Sequence, residues 1–175
     1  MSLEPLRART DQKLRFARLH LGEFHSQPHG HGHDFERAHQ EAFLAQLFGA
    51  YAALLQELNY ELDCALNPEG VSVGKMRENL QVKNRTSSRL RELYDLDKDK
   101  SSWFSKAKAM RDHTTHVSGL GLSYFANGPH AGTVVLRDPK LETEQDIIDY
   151  KVSLASWLAQ MESHVQRFRR DGDKA

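Results

Sequence analysis

The sequence predicts an all-α protein: an up-and-down bundle of four main helices with a short polar helical insertion and one irregular loop or hairpin excursion. Apolar residues recur at three- to four-residue spacing along most of the chain, which is the period of a helix with one buried face. Strand-like composition is confined to one stretch, "LSYFANGPHAGTVVLRDP". The chain has 175 residues, the size of one domain, so we expect residues 1–175 to form a single bundle.

The first two main helices are predicted at residues 10–24 and 35–66. Thr10 and Asp34 are the expected N-caps, because their side-chain oxygens precede an apolar register. The sequence "NPEG" is expected to end the second helix. The apolar face of the first helix is Leu14, Ala17, Leu21 and Phe24, and that of the second is Phe35, Ala38, Ala42, Leu47, Tyr51, Leu54, Leu58 and Leu62.

The remaining elements follow from capping residues and turn signals. Residues 71–97 are polar and fit two shorter helices or one broken helix. A third main helix is predicted at 102–118, capped by Ser101 or Ser102. Residues 119–140 are expected to be an irregular excursion between two helices; a short hairpin turning at Asn127-Gly128 is the alternative, which the adjacent Pro129 disfavours. The last main helix, at 144–169, is expected to open at Thr143 and to bury a heptad-spaced seam: Ile147, Leu154, Met161 and Phe168, interleaved with Leu158 and Val165.

Charge and cysteine content limit the classes of function. The 24 Lys and Arg residues equal the 24 Asp and Glu residues, which argues against a protein that coats nucleic acid through bulk charge and leaves a local basic site open. The single cysteine, Cys64, excludes an intrachain disulfide and fits a reducing compartment. No apolar run reaches the roughly 18 residues of a membrane span, and the first residues do not resemble a signal peptide. We therefore expect a cytoplasmic protein without membrane contact.

The stretch "AMRDHTTHVSGLG" holds the main candidate for chemistry, Arg111, Asp112, His113 and His116 within six residues. Arginine can grip a phosphate with two hydrogen bonds, and histidine can transfer protons near neutral pH. Together they suffice for metal-free cleavage of RNA, whose 2′-hydroxyl is a built-in nucleophile. Positions five apart on a helix diverge by about 140°. Arg111 and His116 therefore converge only if the helix loosens near the following glycines, or if each faces the motif of a partner subunit.

This motif resembles the signature of the HEPN superfamily: arginine, a polar residue, three further residues and histidine, late in a bundle helix. The resemblance implies a metal-independent endoribonuclease of toxin–antitoxin or phage-defence type. It implies Arg111, Asp112 and His116 as catalytic residues and His113 as an auxiliary one. It further implies a homodimer that pairs two motifs, RNA as the substrate and an antitoxin as a partner. Arg15 and His20 have the same spacing by chance, so the motif's place in the bundle carries the resemblance.

Basic residues near the motif are candidates for phosphate contacts. Lys106 and Lys108 lead into the motif along the same predicted helix, and we predict that they bind nucleic acid. The alternative is an ordinary solvated helix face. The middle segment adds a second basic group, Lys83, Arg85, Arg89 and Arg91, to which the same two interpretations apply.

Two alternatives to an RNase remain open. The segment "HSQPHGHGHDFERAH" makes His29, His31 and His33 weak metal candidates, and His113 with His116 and a distant histidine could form a metal-binding bundle. A solvent-exposed connector is the simpler interpretation of that segment, so we predict neither a metal nor another cofactor. The other alternative is a non-catalytic bundle for dimerisation or partner binding. It suits a second resemblance, of "RTDQKLRFARLHL" to an uncharacterised family of small bacterial helical proteins.

Overall fold

The computed structural model describes residues 2–26, 33–116, 121–124, 134–137 and 150–171. The predicted all-α bundle is confirmed. In the described residues the elements are α1 (Leu3–Ser26), α2 (His33–Glu61), a 3-10 turn (Pro68–Gly70), α3 (Val73–Val82), α4 (Ser88–Lys98), α5 (Trp103–His116), β1 (Gly121–Tyr124), β2 (Val134–Arg137) and α6 (Tyr150–Asp171).

Helices α1 and α2 form an antiparallel pair that is the centre of the fold. Thr10 in the first half of α1 meets Glu57 near the end of α2, whereas His20 late in α1 meets His39 near the start of α2. The two helices therefore pack along most of their length in opposite directions.

Helix α6 closes the bundle against α1 and α4. It runs antiparallel to α1, because Asp11 pairs with Arg169 at 2.7 Å while Arg18 pairs with Glu162. The seam predicted for this helix is confirmed within its described residues, since its members from Leu154 onward are all buried. The largest fully buried apolar side chains of the core are Phe43, Leu44, Leu47, Leu54, Leu58, Met76, Leu80, Leu90, Leu154 and Met161.

The start of α2 does not follow the predicted apolar register. Phe35 is 38 % exposed and Ala38 is also exposed. Phe35 instead packs on the ring of His39, with ring centres 4.3 Å apart. The buried face of α2 begins at Gln40 and Phe43, where helices on more than one side cover it. In contrast, the predicted face of α1 is confirmed: all four of its residues are buried.

The boundaries of α1 and α2 differ from those predicted. Helix α1 begins at Leu3, so Thr10 lies inside it and is not its N-cap. Helix α2 ends at Glu61 instead of near residue 66. It stops there because Asp63 adopts a left-handed conformation, with φ at 51°. The Cys64 amide then turns back to the carbonyl of Asn59 at 3.0 Å, which satisfies the helix end.

The polar middle segment forms two separate helices, α3 and α4. Serine side chains cap both, since Ser72 accepts from the amide of Lys75 and Ser87 accepts from that of Leu90. Asn84 separates the helices with φ at 53°, a conformation that asparagine tolerates better than most residues. The N-cap of α5 is Ser102, one of the two predicted serines, which accepts from the amide of Ser105 at 3.0 Å.

The region after α5 contains a two-stranded antiparallel pairing. Gly121 lies opposite Arg137 and Tyr124 lies opposite Val134. Of the two alternatives, an irregular loop or a hairpin, the paired strands β1 and β2 fit the hairpin. Its predicted turn at Asn127-Gly128 lies outside the described residues, as do the predicted cap Thr143 and the seam residue Ile147.

Candidate functional site

The residues of the predicted cleavage motif lie in the last turns of α5. Arg111 donates from Nε and Nη2 to Oδ1 of Asp112, at 2.9 and 2.5 Å. Its guanidinium carbon lies 4.4 Å from the centre of the Phe48 ring on α2, a cation–π contact. Asp112 and Phe48 thus fix the orientation of Arg111. The backbones of His113 and His116 belong to α5, but their side chains lie outside the part that the structure describes.

A cleft of about 620 Å³ opens beside Arg111. Helices α2 to α5 and the 3-10 turn form its walls. Three cations line it, Lys98, Lys108 and Arg111, together with two carboxylates, Asp97 and Glu69, which leaves a formal charge of +1. Its aromatic lining is Phe48, Tyr51, Tyr94 and Phe104.

The two lysines predicted to bind nucleic acid have different positions on α5. Lys108 lines the cleft one turn before Arg111, and its Nζ lies 2.6 Å from Oδ1 of Asp97. Lys106 is exposed and is not part of the cleft lining. Two residues apart on a helix is about 200° of rotation, so the two ammonium groups point in nearly opposite directions.

The aromatic wall of the cleft combines flat rings with polar groups. The rings of Tyr51 and Phe104 pack with centres 4.6 Å apart. Burial, and next the charge of Asp97, raises the pKa of the Tyr51 hydroxyl, which therefore stays protonated and can donate a hydrogen bond. The guanidinium of Arg77 lies 4.0 Å above the ring of Tyr94. The cleft thus offers ring faces, hydrogen-bond donors and a small excess of positive charge.

The second basic group, in the middle segment, has a structural role at three of its four residues. Lys83 donates to the carbonyl of Asp63 at 2.5 Å and Arg85 donates to that of Leu62 at 3.1 Å, so both satisfy the end of α2. Arg89 is buried and is described below with its partners. These three side chains therefore connect helix ends.

A buried carboxylate that the sequence interpretation missed connects three elements of the bundle. Glu57 is 1 % exposed and accepts hydrogen bonds from the hydroxyl of Thr10 and, at 2.9 Å each, from Nε and Nη2 of Arg169. Asp11 binds the same guanidinium at 2.7 Å. Burial alone would lower the pKa of Arg169, but the hydrogen bonds to Glu57 and Asp11 outweigh it and raise the pKa. Thr10 and Asp11 belong to "RTDQK", the segment that carries the second resemblance. That resemblance is the one sequence feature that pointed to these residues.

Glu61, one turn after Glu57, extends this network to α4. It accepts from Arg7 at 2.9 Å and from the buried Arg89 at 2.6 Å. Arg89 also donates to the carbonyl of Phe168 at 3.1 Å. The two carboxylates of α2 therefore tie α1, α4 and α6 to one another. Buried charges arranged in this way are paired and hydrogen-bonded, which is what a structural network requires.

A further polar cluster joins α4, α5 and α6. Glu92 accepts from Nη1 of Arg167 at 2.6 Å. Nη2 of Arg167 lies 2.8 Å from Nδ1 of His164 and donates to it, because arginine stays charged. Burial lowers the pKa of His164, and the hydrogen bond from Arg167 lowers that of Glu92. The Trp103 ring stacks on His164 with centres 6.0 Å apart. Glu92, whose Oε1 lies 3.0 Å from Nδ1 of His164, opposes the lowering of the His164 pKa, but burial together with the charge of Arg167 outweighs it.

The predicted metal candidates are not tested by the described residues. His29 and His31 lie outside them, and so does the side chain of His33. Among the described residues, no group of three or more His, Cys, Asp or Glu side chains could hold a metal ion. Cys64 is buried in the core, as expected for a small apolar residue, and burial raises the pKa of its thiol.

Comparison with known proteins places the whole chain in one family. Within the described residues no helix combines the length and the apolar character that crossing a membrane requires. Neither curated proteins nor solved structures gave a match. The model of a family of unknown function, DUF6586, matches residues 1–175. The chain therefore belongs to the DUF6586 family.

Proposed function

We propose that this protein is a cytoplasmic RNA-binding protein of HEPN-like type that cleaves RNA without a metal. The observation that supports the proposal is the position of Arg111, which Asp112 orients at the edge of a cleft lined by aromatic rings and lysines. RNA is recognised in single-stranded form by stacking of bases on aromatic side chains and by cations along the phosphates. Both kinds of group line this cleft.

The cleft suits a short single-stranded segment better than a duplex. Its volume of about 620 Å³ lies within the range of pockets that enclose a small ligand of nucleotide size. Phe104 is buried against Tyr51, so the partly exposed rings of Tyr51 and Tyr94 are the stacking surfaces proposed for a base. Lys98 and Lys108 supply charge. The cleft lining has a formal charge of +1, whereas the whole chain has a net charge of zero. The proposed attraction to RNA therefore comes from side chains of the cleft and not from the net charge of the protein.

The proposed reaction is an intramolecular transesterification at one phosphodiester of the RNA chain. The 2′-oxygen attacks the adjacent phosphorus, its proton passes to a base, and the 5′-oxygen leaves with a proton from an acid. The products are a 2′,3′-cyclic phosphate and a 5′-hydroxyl end. Arg111 stabilises the charge on the phosphate oxygens, and His116 transfers the proton. Asp112 orients Arg111, and His113 is auxiliary. The motif of a second subunit supplies the other half of the site.

An RNase assay with matched variants tests the catalytic proposal. We expect the untagged protein to cleave single-stranded RNA in the presence of a chelator. Arg111→Ala and His116→Ala should each lower the rate by at least about 100-fold. Arg9→Ala is the control, because Arg9 is an exposed arginine of α1 that binds Gln12 at 2.7 Å and does not line the cleft. Equal rates in all four proteins, or no cleavage of several RNAs by the unaltered chain, would remove the catalytic claim.

A binding experiment separates recognition of RNA from cleavage. In the His116→Ala background, Lys108→Ala should weaken binding of a single-stranded RNA and reduce the salt dependence of the affinity by about one charge. Lys106→Ala removes a lysine of the same helix that lies outside the cleft, and it should leave both quantities unchanged. If the two lysine variants bind RNA equally, the cleft is not the binding site.

The non-catalytic alternative has its own supporting observation. Arg111 already uses two of its nitrogens on Asp112, which is also how a purely structural arginine would behave. In that case the bundle serves dimerisation or the binding of another protein. Sedimentation equilibrium distinguishes a monomer from the proposed homodimer, which has twice the 20.0 kDa mass of one chain. A dimer with no RNase activity and no RNA affinity would favour the alternative.

A further inference from the structure

Two histidines of the central helix pair face each other across α1 and α2. Nδ1 of His20 lies 3.3 Å from Nδ1 of His39, with the two ring centres 5.4 Å apart. Both side chains are partly exposed, so an ion from solvent can reach them. Burial, and next the proximity of His39, lowers the pKa of His20. The lowered pKa of His20 favours its neutral imidazole, which is the form that binds metals.

The distance between the two Nδ1 atoms matches that expected between two ligands of one metal ion. Imidazole nitrogens lie about 2.0–2.1 Å from a tetrahedral zinc ion. Two such ligands at a tetrahedral angle are about 3.3–3.4 Å from each other. The observed distance of 3.3 Å lies at the lower end of that range.

We infer that His20 and His39 form a binding site for one divalent transition-metal ion that links α1 to α2. Imidazole ligands select Zn²⁺, Ni²⁺ or Cu²⁺ over Mg²⁺ and Ca²⁺, which prefer oxygen. Two protein ligands leave the other positions on the ion to water or further donors. The site is separate from the cleft of Arg111 and does not depend on the proposed RNase activity. Its effect is structural: the ion ties together two helices that join at this end of the pair.

Metal titration of the untagged full chain tests the site. With Zn²⁺ at about 100 times its Kd, the Tm should rise by at least about 5 °C, while Mg²⁺ should have no effect. His20→Asn and His39→Asn should each raise the Kd for Zn²⁺ at least about tenfold, which at the same Zn²⁺ concentration reduces the rise in Tm to about half or less. No Tm response to Zn²⁺ in the unaltered chain would overturn the inference.

A variant of the histidine-rich segment identifies which histidines are required. His29, His31 and His33 are replaced together by alanine, while His20 and His39 are kept. Loss of stoichiometric Zn²⁺ binding in either of the two asparagine variants supports the inference, whether or not the triple variant binds more weakly. Undiminished Zn²⁺ binding in both asparagine variants, with loss only in the triple variant, would assign the metal to the segment and overturn it.

Discussion

At the scale of single residues, Glu57 and Arg89 are charged side chains that lie in the interior of this bundle. Glu57 falls within "AALLQELNYEL", where the sequence suggests that charges lie on the solvent face. Helix α2 is instead covered on several sides there, because Leu54, Leu55 and Leu58 are buried together with Glu57. Periodicity marks one apolar face, so it could not reveal a carboxylate that is buried beside that face.

Removing the charge of Glu57 should destabilise the protein strongly. Glu57→Gln leaves the guanidinium of Arg169, which is partly buried, without its main carboxylate, although Asp11 still contacts it. Breaking a buried pair typically costs about 3–5 kcal/mol. Because Asp11 remains, we expect Glu57→Gln to lower the free energy of unfolding by about 3 kcal/mol. Urea unfolding at 25 °C measures the change.

The control for this substitution is the exposed pair of Arg18 and Glu162. Both partners are at least one quarter exposed, so Glu162→Gln should change the free energy of unfolding by less than about 1 kcal/mol. If Glu57→Gln costs no more than Glu162→Gln, the buried network does not stabilise the bundle in the way its geometry indicates.

The same limit applies to the candidate site. Arg111 and Asp112 were predicted from spacing and from their place in a late helix, and their contact follows from adjacency. The cleft beside them could not be predicted, because its other walls come from the 3-10 turn and from α3, about 40 residues earlier in the chain. Only packing brings Glu69 and Tyr94 near Arg111.

At the scale of elements, helix type and position were predictable but helix ends were not. Thr10 looked like an N-cap because a hydroxyl precedes an apolar register, yet that hydroxyl binds Glu57 on another helix. The end of α2 depends on Asp63 in a left-handed conformation, and on Lys83 and Arg85 from beyond α3. Tertiary partners of this kind are not visible in a local sequence pattern.

Two glycines inside helices give a matched test of local propensity against packing. A methyl group added at Gly22 of α1 would meet nothing within 4 Å. Gly22→Ala should therefore raise the free energy of unfolding by about 0.5–1 kcal/mol, since alanine loses less backbone entropy. The measurement is again urea unfolding.

Gly49 of α2 is the comparison, because the side chain of Lys13 passes over it. An added methyl group would lie 3.1 and 3.2 Å from Cδ and Cε of Lys13, whose ammonium binds Gln46 at 2.9 Å. The lysine must shift and strain that hydrogen bond, so Gly49→Ala should gain less than Gly22→Ala. A larger gain at Gly49 would show that the stem of Lys13 moves without cost.

At the scale of the whole molecule, the polar clusters sit where helices meet, and two of them contain titratable histidines. His20 joins α1 to α2, and His164 joins α6 to α4 through Glu92 and Arg167. Burial lowers the pKa of both histidines, and hydrogen bonding to Arg167 lowers that of Glu92. All three shifts favour the form that holds fewer protons, so the folded bundle resists protonation at these contacts.

The stability of the bundle should consequently fall with acidification, beginning in the histidine range. Where a folded pKa is lowered, the unfolded chain binds more protons just below its own pKa, near 6.5 for histidine, so stability is lost as pH falls through that window. The loss of the Glu92 contribution follows at lower pH, below the carboxylate's ordinary pKa of about 4.5. We expect the free energy of unfolding to decrease steadily from pH 7 to pH 5 in a chelated sample. In a His20→Asn, His164→Asn double variant this slope should be clearly smaller, and an unchanged slope would mean that other groups dominate the acid response.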